Sequence, residues 1–262
     1  MNLKINLSLL LLSSSIIFAD NIEVTDVEAK YSANSSVKAT ETLKQSLNFG
    51  FANTSGNTDT SNMNGKYNLS MTTAGYDNKE LKVAFDAGAF YSESNSVRDN
   101  EEYTANLGLE QFVTNDWLGY ASLGWLKNKF RNYDNKFAIG TGVGRELYRD
   151  EHQSLKAKLG VAYNVEDYSN NQDTEEFGSL NEYLEYNNKL NKVSNLYVKL
   201  GSLQNFDDFS NDYEASLVAG LNFAVADNIS ITIEEEISYD NKPAEGFDDT
   251  DTKSIVRVGY NF

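Results

Sequence analysis

The sequence predicts an all-β fold, namely a closed antiparallel transmembrane β-barrel of about twelve strands with short periplasmic turns and longer extracellular loops. Apolar and polar residues alternate along twelve successive segments, as they do in strands with one apolar face. The connections between these segments alternate in length. The 262 residues include 16 Tyr and 14 Phe although only 40% are hydrophobic, which favours aromatic girdles over a large dry core.

The amino-terminal region precedes the predicted barrel. Residues 1–19 combine Lys4, an apolar stretch and Ala19 at a suitable cleavage position, which predicts a signal peptide that is cleaved on export. Residues 20–40 are polar and have no usable period, so we interpret them as a periplasmic tail and residues 41–262 as the barrel. This organisation predicts a location in the outer membrane of a Gram-negative bacterium.

The predicted strands have a period of two residues. In the second strand, Met63, Tyr67 and Met71 fall on one face, and Asn64 and Lys66 fall on the other. The twelve segments are residues 41–53, 62–71, 81–91, 103–110, 117–127, 137–148, 155–165, 177–190, 196–203, 213–223, 229–239 and 252–262. Glu182 and Glu235 each stand among apolar positions, and a phase-shifting β-bulge or a place near a membrane interface would account for either one.

Connection lengths supply a second line of evidence. The predicted outer connections are residues 54–59, 92–102, 128–136, 166–176, 205–212 and 240–251. The predicted inner connections include residues 114–116, 149–153, 191–194 and 226–228, and only 72–78 is long for an inner turn. Because the strand number is even, both ends of the barrel domain fall on the periplasmic side.

The final segment ends on an aromatic residue. Val256, Val258, Tyr260 and Phe262 share one face of this segment. Such a strand is similar to the signal by which the barrel-assembly machinery recognises outer-membrane barrels, so we expect that machinery as a partner during biogenesis. The alternative is a soluble β-sandwich whose last strand ends in phenylalanine.

Closure of the sheet has a physical reason and a geometric consequence. Backbone amides in hydrocarbon find no water, so a sheet persists there only when it closes and loses its edges. Twelve strands enclose a lumen that is wider than in eight-stranded barrels and narrower than in sixteen-stranded porins. We therefore expect a small polar channel.

Several short motifs resemble one family in their order and spacing. They are Ser55-Gly56-Asn57-Thr58, Tyr239-Asp240-Asn241-Lys242-Pro243, Thr250-Asp251-Thr252, and Arg145 to Tyr148 after Gly140, Gly142 and Gly144. Over residues 41–262 the chain resembles the YdiY-like family of salt-induced outer-membrane proteins, a domain of unknown function. The resemblance implies an outer-membrane barrel and supplies no activity, and this chain is unusually acidic in its loops for that family.

Composition excludes several functional classes. The absence of cysteine excludes a disulfide scaffold, a thiolate metal site and thiol catalysis. The net charge of -17 argues against nucleic acid as a partner. Outer-membrane hydrolases use a histidine to accept a proton, but the one histidine, His152, falls in a predicted inner turn. We therefore predict no enzyme activity, no catalytic residue and no cofactor.

Charged residues occupy the face that is predicted to line the lumen. One interpretation is a constriction that selects small ions or solutes. The other is that these groups pair across strands and plug the lumen, and the sequence leaves both interpretations open. The residues are Lys66, Lys82, Asp86, Glu110, Lys156, Lys158, Glu214, Glu234, Glu236 and Arg257, with Lys199 and Lys253 beside them.

Acidic residues cluster in two outer connections. Their carboxylates would suit Ca²⁺ or Mg²⁺, including ions that bridge lipopolysaccharide phosphates, but neither cluster has the EF-hand spacing. We favour solvated loop tips that attract cations to the outer mouth, and predict no metal site. The two clusters are Asp207, Asp208 and Asp212, and Glu245, Asp248, Asp249 and Asp251.

Three functional hypotheses follow. The preferred one is a narrow channel for small solutes or ions with a weak cation preference. The second is a non-conducting structural or surface barrel that serves envelope integrity or a salt response, with loops that bind lipopolysaccharide or cations. The third is an outer-leaflet hydrolase that depends on His152. In each case outer-membrane lipid and lipopolysaccharide are the expected partners.

Overall fold

The computed structural model describes residues 42–55, 60–94, 97–128, 131–169, 172–243 and 247–262. The predicted signal peptide, residues 1–19, and the predicted periplasmic tail, residues 20–40, lie outside the described residues. A short 3-10 helix, Tyr76–Asn78, interrupts the succession of strands. Among the described residues, no helix is both long and apolar enough to cross a membrane.

The described part of the chain forms twelve strands in one antiparallel sheet that closes on itself. The strands are β1 Thr42–Ser55, β2 Thr60–Ala74, β3 Glu80–Ser94, β4 Val97–Phe112, β5 Trp117–Asn128, β6 Tyr133–Arg149, β7 Gln153–Tyr168, β8 Glu175–Lys189, β9 Ser194–Asn205, β10 Tyr213–Ala226, β11 Ile229–Asp240 and β12 Thr250–Asn261. Each strand pairs with its neighbours in chain order, and β1 pairs with β12. Beside this closing ladder, the backbone N–H of Phe262 donates to the carbonyl oxygen of Gln45 at 3.1 Å. The predicted closed barrel is confirmed.

The barrel is apolar on its outer face and polar inside. Phe49, Ile139 and Val258 point outward and are 61%, 58% and 54% exposed. Asn48 and Asp86 point inward and are 3% and 2% exposed. Because successive side chains of a strand leave opposite faces of the sheet, the alternation in the sequence sorts apolar groups outward and polar groups into the lumen. The buried interior is therefore mainly polar, with a smaller number of buried apolar side chains such as Phe90 and Ile255.

Aromatic side chains flank the apolar belt at both ends of the barrel. We call the end at which β1 begins and β12 finishes the terminal end, and the opposite end the distal end. Tyr260 and Phe262 stack at the terminal end with ring centroids 6.0 Å apart. Tyr213 and Tyr239 pack at the distal end with centroids 5.8 Å apart. Two aromatic rims around an apolar band are typical of a barrel that faces lipid.

The strands extend further at the distal end than the sequence predicted. The connection predicted at residues 92–102 is largely paired strand, because β3 continues to Ser94 and β4 begins at Val97. The distal connections at residues 169–174, 206–212 and 241–249 are long, as predicted, whereas the terminal-end turn at 227–228 is short. The alternation of apolar and polar residues identifies only the part of each strand that lies in the apolar belt. Backbone pairing needs no apolar side chain, so the strands continue beyond the belt. The predicted boundaries were therefore wrong where polar strand was read as loop.

Glu182 and Glu235 remain in phase with their apolar neighbours and point outward. The register is continuous through both residues, so the suggested β-bulge is wrong. Each carboxylate accepts a hydrogen bond from a serine on the next strand, Glu182 from Ser202 at 2.9 Å and Glu235 from Ser254 at 2.6 Å. These hydroxyls supply the hydrogen bonds that a carboxylate on an apolar surface requires.

Candidate lumen site

The charged residues predicted to line the lumen alternate with outward-facing apolar residues and point inward. Seven of them, Lys82, Asp86, Glu110, Lys156, Glu234, Arg257 and Lys158, are nearly or fully buried, with side-chain or residue exposures of 11% or less. Glu214 and Glu236 are more accessible, with side-chain exposures of 30% and 28%. The structure does not gather all ten into one site. Seven of them take part in ion pairs at successive heights of the lumen, namely Glu110, Lys156, Lys158, Glu214, Glu234, Glu236 and Arg257.

The group nearest the terminal end is centred on Glu110. Its carboxylate accepts a hydrogen bond from the Lys156 ammonium at 2.8 Å and a second from Lys158. Glu110 lies on β4 and both lysines lie on β7, so these contacts span two intervening strands across the lumen. A buried carboxylate needs such partners because burial alone opposes its charged form.

The middle group is centred on Arg257 of β12. Its guanidinium pairs with Glu234 on the adjacent strand β11, and its Nε donates to the Asn64 side-chain oxygen at 3.0 Å, beyond β1. Glu234 also accepts a hydrogen bond from the Tyr197 hydroxyl on β9. Glu236 lies farther away, with an oxygen 3.7 Å from the same guanidinium. This group fills the β9–β12 side of the lumen.

Ion pairs cross the lumen at the distal end, and we call them the distal ties. Lys253 of β12 donates to both carboxylate oxygens of Glu102 on β4, at 2.9 and 3.0 Å. Arg131, in the connection between β5 and β6, lies 3.2 Å from Asp251 of β12. The third tie joins Lys136 of β6 to Glu214 of β10 and, at 2.7 Å, to Glu166 of β7. The Lys253–Glu102 and Lys136–Glu214 pairs join strands that are not neighbours in the sheet.

Most members of the distal ties were not predicted from the sequence. Glu102, Lys136 and Glu166 were assigned to outer connections, whereas the structure has them on β4, β6 and β7. Arg131 was not singled out, and Asp251 was assigned to an acidic loop. The alternation of faces along the strand could have predicted them, because Lys136 lies on the opposite face from Phe137 if the strand continues past the apolar belt. The inward position of these groups follows once the strands are extended beyond the belt.

A cavity of about 400 Å³ lies inside the barrel against strands β3 to β9, and Glu110 and Lys158 of the terminal-end group are part of its lining. We call this cavity the chamber. Its lining includes Asp86, Tyr120, Lys158, Tyr183 and Lys199. Tyr183 is 41% exposed although it points into the lumen. The lumen is thus partly filled by ion pairs and partly open.

Two glycines leave space for the Tyr120 side chain. Gly142 and Gly160 are partners on β6 and β7, and both lie beside the Tyr120 ring. A Cβ at Gly160 would come within 2.2 Å of the Tyr120 hydroxyl oxygen, and a Cβ at Gly142 within 2.7 Å of the ring. The ring therefore lies along the wall over the glycine pair, which keeps the chamber free. Gly142 and Gly160 thus relieve crowding on the inner face of the sheet.

His152 lies at the terminal end, and the described acidic residues of the two outer connections lie at the distal end. His152 is exposed in the turn at residues 150–152, at the terminal end. The backbone N–H groups of His152 and Gln153 both donate to the Asp150 carboxylate. The Tyr148 hydroxyl, first, and then these two N–H groups hold the pKa of Asp150 below its ordinary value. Within the described ranges, no three His, Asp or Glu side chains are grouped so as to hold a metal ion. Glu245 lies outside the described residues.

Comparison with known sequences identifies a family. A family model described as "Protein of unknown function, DUF481" matches residues 47–262, which is most of the chain. The predicted membership in a domain family of unknown function is confirmed, and the YdiY-like designation stays a prediction. No curated protein matches the chain.

Solved structures with a similar fold are outer-membrane barrels. The NanC porin has a TM-score of 0.53 and 8% sequence identity, and the match covers 82% of this chain and 98% of that chain. An outer-membrane channel from Pseudomonas putida F1 has a TM-score of 0.51 and 10% identity, with 87% and 97% covered. The outer-membrane phospholipase of Salmonella typhi, solved as a dimer with bound calcium, has a TM-score of 0.51 and 13% identity, with 82% and 90% covered. At these identities the likeness establishes the fold alone.

Proposed function

The chain belongs to the family described as Protein of unknown function, DUF481, and on that premise we propose that it is an outer-membrane barrel that passes small solutes or ions through a narrow lumen. The observation that carries the proposal is the chamber of about 400 Å³ inside a closed sheet whose inner face is polar. An apolar outer belt with aromatic rims supports insertion in the outer membrane of a Gram-negative bacterium.

The distal ties support a channel that is mostly closed. Three ion-pair systems cross the distal lumen, and on this proposal at least one of them opens when a solute passes. Their charged groups are Glu102, Glu166, Glu214 and Asp251 against Arg131, Lys136 and Lys253, which sum to 3 - 4 = -1. This excess of carboxylate supports a weak preference for cations.

Single-channel recording on the purified, refolded barrel in planar bilayers tests the proposal. We expect small conductance steps of low open probability, and a reversal potential in a salt gradient that shows weak cation preference. A bilayer that contains folded barrel, identified by a heat-dependent shift in electrophoretic mobility, yet shows no steps would contradict the channel.

A second candidate is a non-conducting structural barrel. The distal ties favour it, because ion pairs between Lys253 and Glu102, and between Lys136 and Glu214, brace strands that are not neighbours. In this case a deletion strain keeps normal solute uptake and loses envelope integrity under osmotic stress. Loops of the distal end would then bind lipopolysaccharide or cations.

The remaining assignments are part of the same proposal. Residues 1–19 act as a cleaved signal peptide and residues 20–40 as a periplasmic tail, which amino-terminal sequencing of the mature protein would test. The final strand, through Val256, Val258, Tyr260 and Phe262, engages the barrel-assembly machinery. The protein is not an enzyme, since its one histidine is exposed in a terminal-end turn. Phospholipid hydrolysis by the native protein that His152→Ala abolishes would contradict this last assignment.

A further inference from the structure

The chamber contains a tyrosine ring that lies along its wall. Tyr183 of β8 points into the lumen and is 41% exposed. Its partner on β9 is Gly201, and two atoms on one edge of the ring lie 3.4 and 3.5 Å from where a Cβ on that glycine would stand. The Asn181 amide, two residues earlier on the same strand, donates to the Tyr183 hydroxyl at 3.4 Å. The ring therefore runs along the wall beside a glycine and presents an apolar surface to the cavity.

A second tyrosine extends this surface. The Tyr120 ring lies over Gly160 of β7, and Gly160 is the partner of Asn181 on β8. The hydroxyl ends of both tyrosines are therefore directed toward the Asn181 amide. The Lys158 ammonium lies 5.7 Å from the centre of the Tyr120 ring. The Tyr183 ring is thus the more open of the two, and the Tyr120 ring continues the same wall.

The charged groups of the lining favour an uncharged solute. Three lysines and three carboxylates sum to 3 - 3 = 0, and each of the six takes part in at least one ion pair, hydrogen bond or electrostatic interaction. A charged solute would compete with these contacts, whereas a neutral solute leaves them in place. The six residues are Lys82, Asp86, Glu110, Lys158, Glu185 and Lys199.

Amide groups and the cavity volume suit a small solute that carries several hydroxyls. An amide has two donor hydrogens and one acceptor oxygen, so Asn106 and Asn181 can bond a solute hydroxyl beside their contacts with Asp86 and Tyr183. A purely apolar solute would displace water from these amides without replacing its hydrogen bonds. The volume of about 400 Å³ corresponds to roughly 13 waters, so a monosaccharide of roughly 12 heavy atoms fits with several waters beside it.

We propose that the chamber binds a neutral monosaccharide in its ring form, with one face of the sugar ring against Tyr183 and the sugar hydroxyls toward Asn181 and Asn106. The C–H groups on the face of a pyranose are apolar and pack on an aromatic ring, while its hydroxyls lie around the rim. The inference rests on the proposed channel function. It names the class of solute for which the lumen has a binding site, and it is separate from the cation preference of the distal mouth for simple ions.

Uptake of labelled solutes into proteoliposomes tests this site. The probes are D-glucose and D-sorbitol, which are both neutral and have equal numbers of carbon and oxygen atoms, but only glucose forms a ring. Far below saturation the rate of uptake follows the occupancy of the chamber. We therefore expect glucose to enter at least about threefold faster than sorbitol, the scale of one aromatic contact. An excess of unlabelled glucose should lower the rate for labelled glucose, because the site becomes occupied.

Substitutions at Tyr183 separate the effect of its ring from that of its bulk. Tyr183→Leu keeps an apolar side chain and loses the ring, so it should bring the ratio of the two rates close to one. Tyr183→Phe keeps the ring and should retain most of the ratio. The control is Tyr76→Leu, at a tyrosine that is 70% exposed in the 3-10 helix outside the chamber, and it should keep the wild-type ratio.

The outcomes separate the two proposals. If folded barrel is present and neither probe enters faster than into protein-free liposomes, both the channel and the sugar site are overturned. Equal rates for the two probes, a ratio that survives Tyr183→Leu, or a ratio that falls as far in Tyr76→Leu overturns the sugar site and leaves the channel standing. If Tyr183→Leu fails to fold, the wild-type ratio and its response to excess unlabelled glucose decide the question.

Discussion

The tie between Lys253 and Glu102 gives the sharpest test of how the lumen is closed. The lysine donates to both carboxylate oxygens, at 2.9 and 3.0 Å, and Asn128 donates to the same carboxylate at 2.9 Å. The change we consider is Glu102→Gln, which keeps the size and shape of the side chain and removes its charge. The substitution therefore weakens the contact across the lumen without leaving a cavity.

The size of the effect follows from the burial of the pair. Removing one partner of a fully buried pair costs about 3–5 kcal/mol, and an exposed pair contributes about 0–1 kcal/mol. The Lys253 and Glu102 side chains are 18% and 14% exposed, which lies between these limits. Because glutamine still offers one oxygen to the lysine, we expect a loss of about 1–2 kcal/mol, or roughly a tenfold rise in the open fraction of the channel.

Single-channel recording of wild type and Glu102→Gln under identical conditions measures this fraction. Glu151→Gln, in an exposed terminal-end turn, is the matched control and should leave the open fraction unchanged. Exchanging the charges, with Glu102→Lys and Lys253→Glu together, should restore low opening. If folded Glu102→Gln opens no more often than wild type, the tie does not close the lumen and the reasoning is refuted.

Other substitutions test the packing, the outer face and the final strand. Gly142→Ala should lower the free energy of unfolding by about 1–3 kcal/mol, because its Cβ would lie 2.3 Å from a backbone oxygen of the neighbouring strand. In the control Gly108→Ala, the new Cβ meets nothing within 4 Å, so the free energy of unfolding should change little. Denaturant unfolding of the two variants compares them. Glu235→Leu should raise the free energy of unfolding in lipid vesicles by about 1 kcal/mol or more, while Glu151→Leu should not, and equal effects would contradict a lipid-facing Glu235. Deleting Phe262 should reduce assembly by the purified assembly machinery and spare spontaneous refolding, and normal assisted assembly would remove the aromatic terminus from the recognition signal.

The strand number and the inward-facing charges were predictable because both follow from one periodicity. Residues such as Lys66 and Arg257 lie opposite apolar neighbours in sequence, and the pleat of a strand then fixes their direction. The two-residue period also places Glu182 and Glu235 on the outer face, and no β-bulge is needed to explain their positions. For these features local sequence contains the needed information.

The ion-pair partners and the chamber were not predictable from the sequence. The contact of Glu102 with Lys253 joins residues far apart in the chain, and it depends on the stagger of the closed sheet and not on any local pattern. The space beside Tyr120 depends on the pairing of Gly142 with Gly160, which is a matter of register. Predicting either feature requires both the number of strands and the stagger of the closed sheet, and the local sequence pattern gives only the first.

The account depends most on which face of the sheet meets lipid, and β7 permits the most direct measurement. The chain has no cysteine, so nitroxide labels can be attached to single cysteines placed one at a time from Ser154 to Leu159 in the barrel reconstituted into vesicles. We predict that collision with oxygen is high at positions 155, 157 and 159, and that contact with a water-soluble nickel reagent is favoured at 154, 156 and 158. Nickel accessibility that is equal at all six positions, or greatest at Ala157 and Leu159, would contradict a lipid-facing apolar surface.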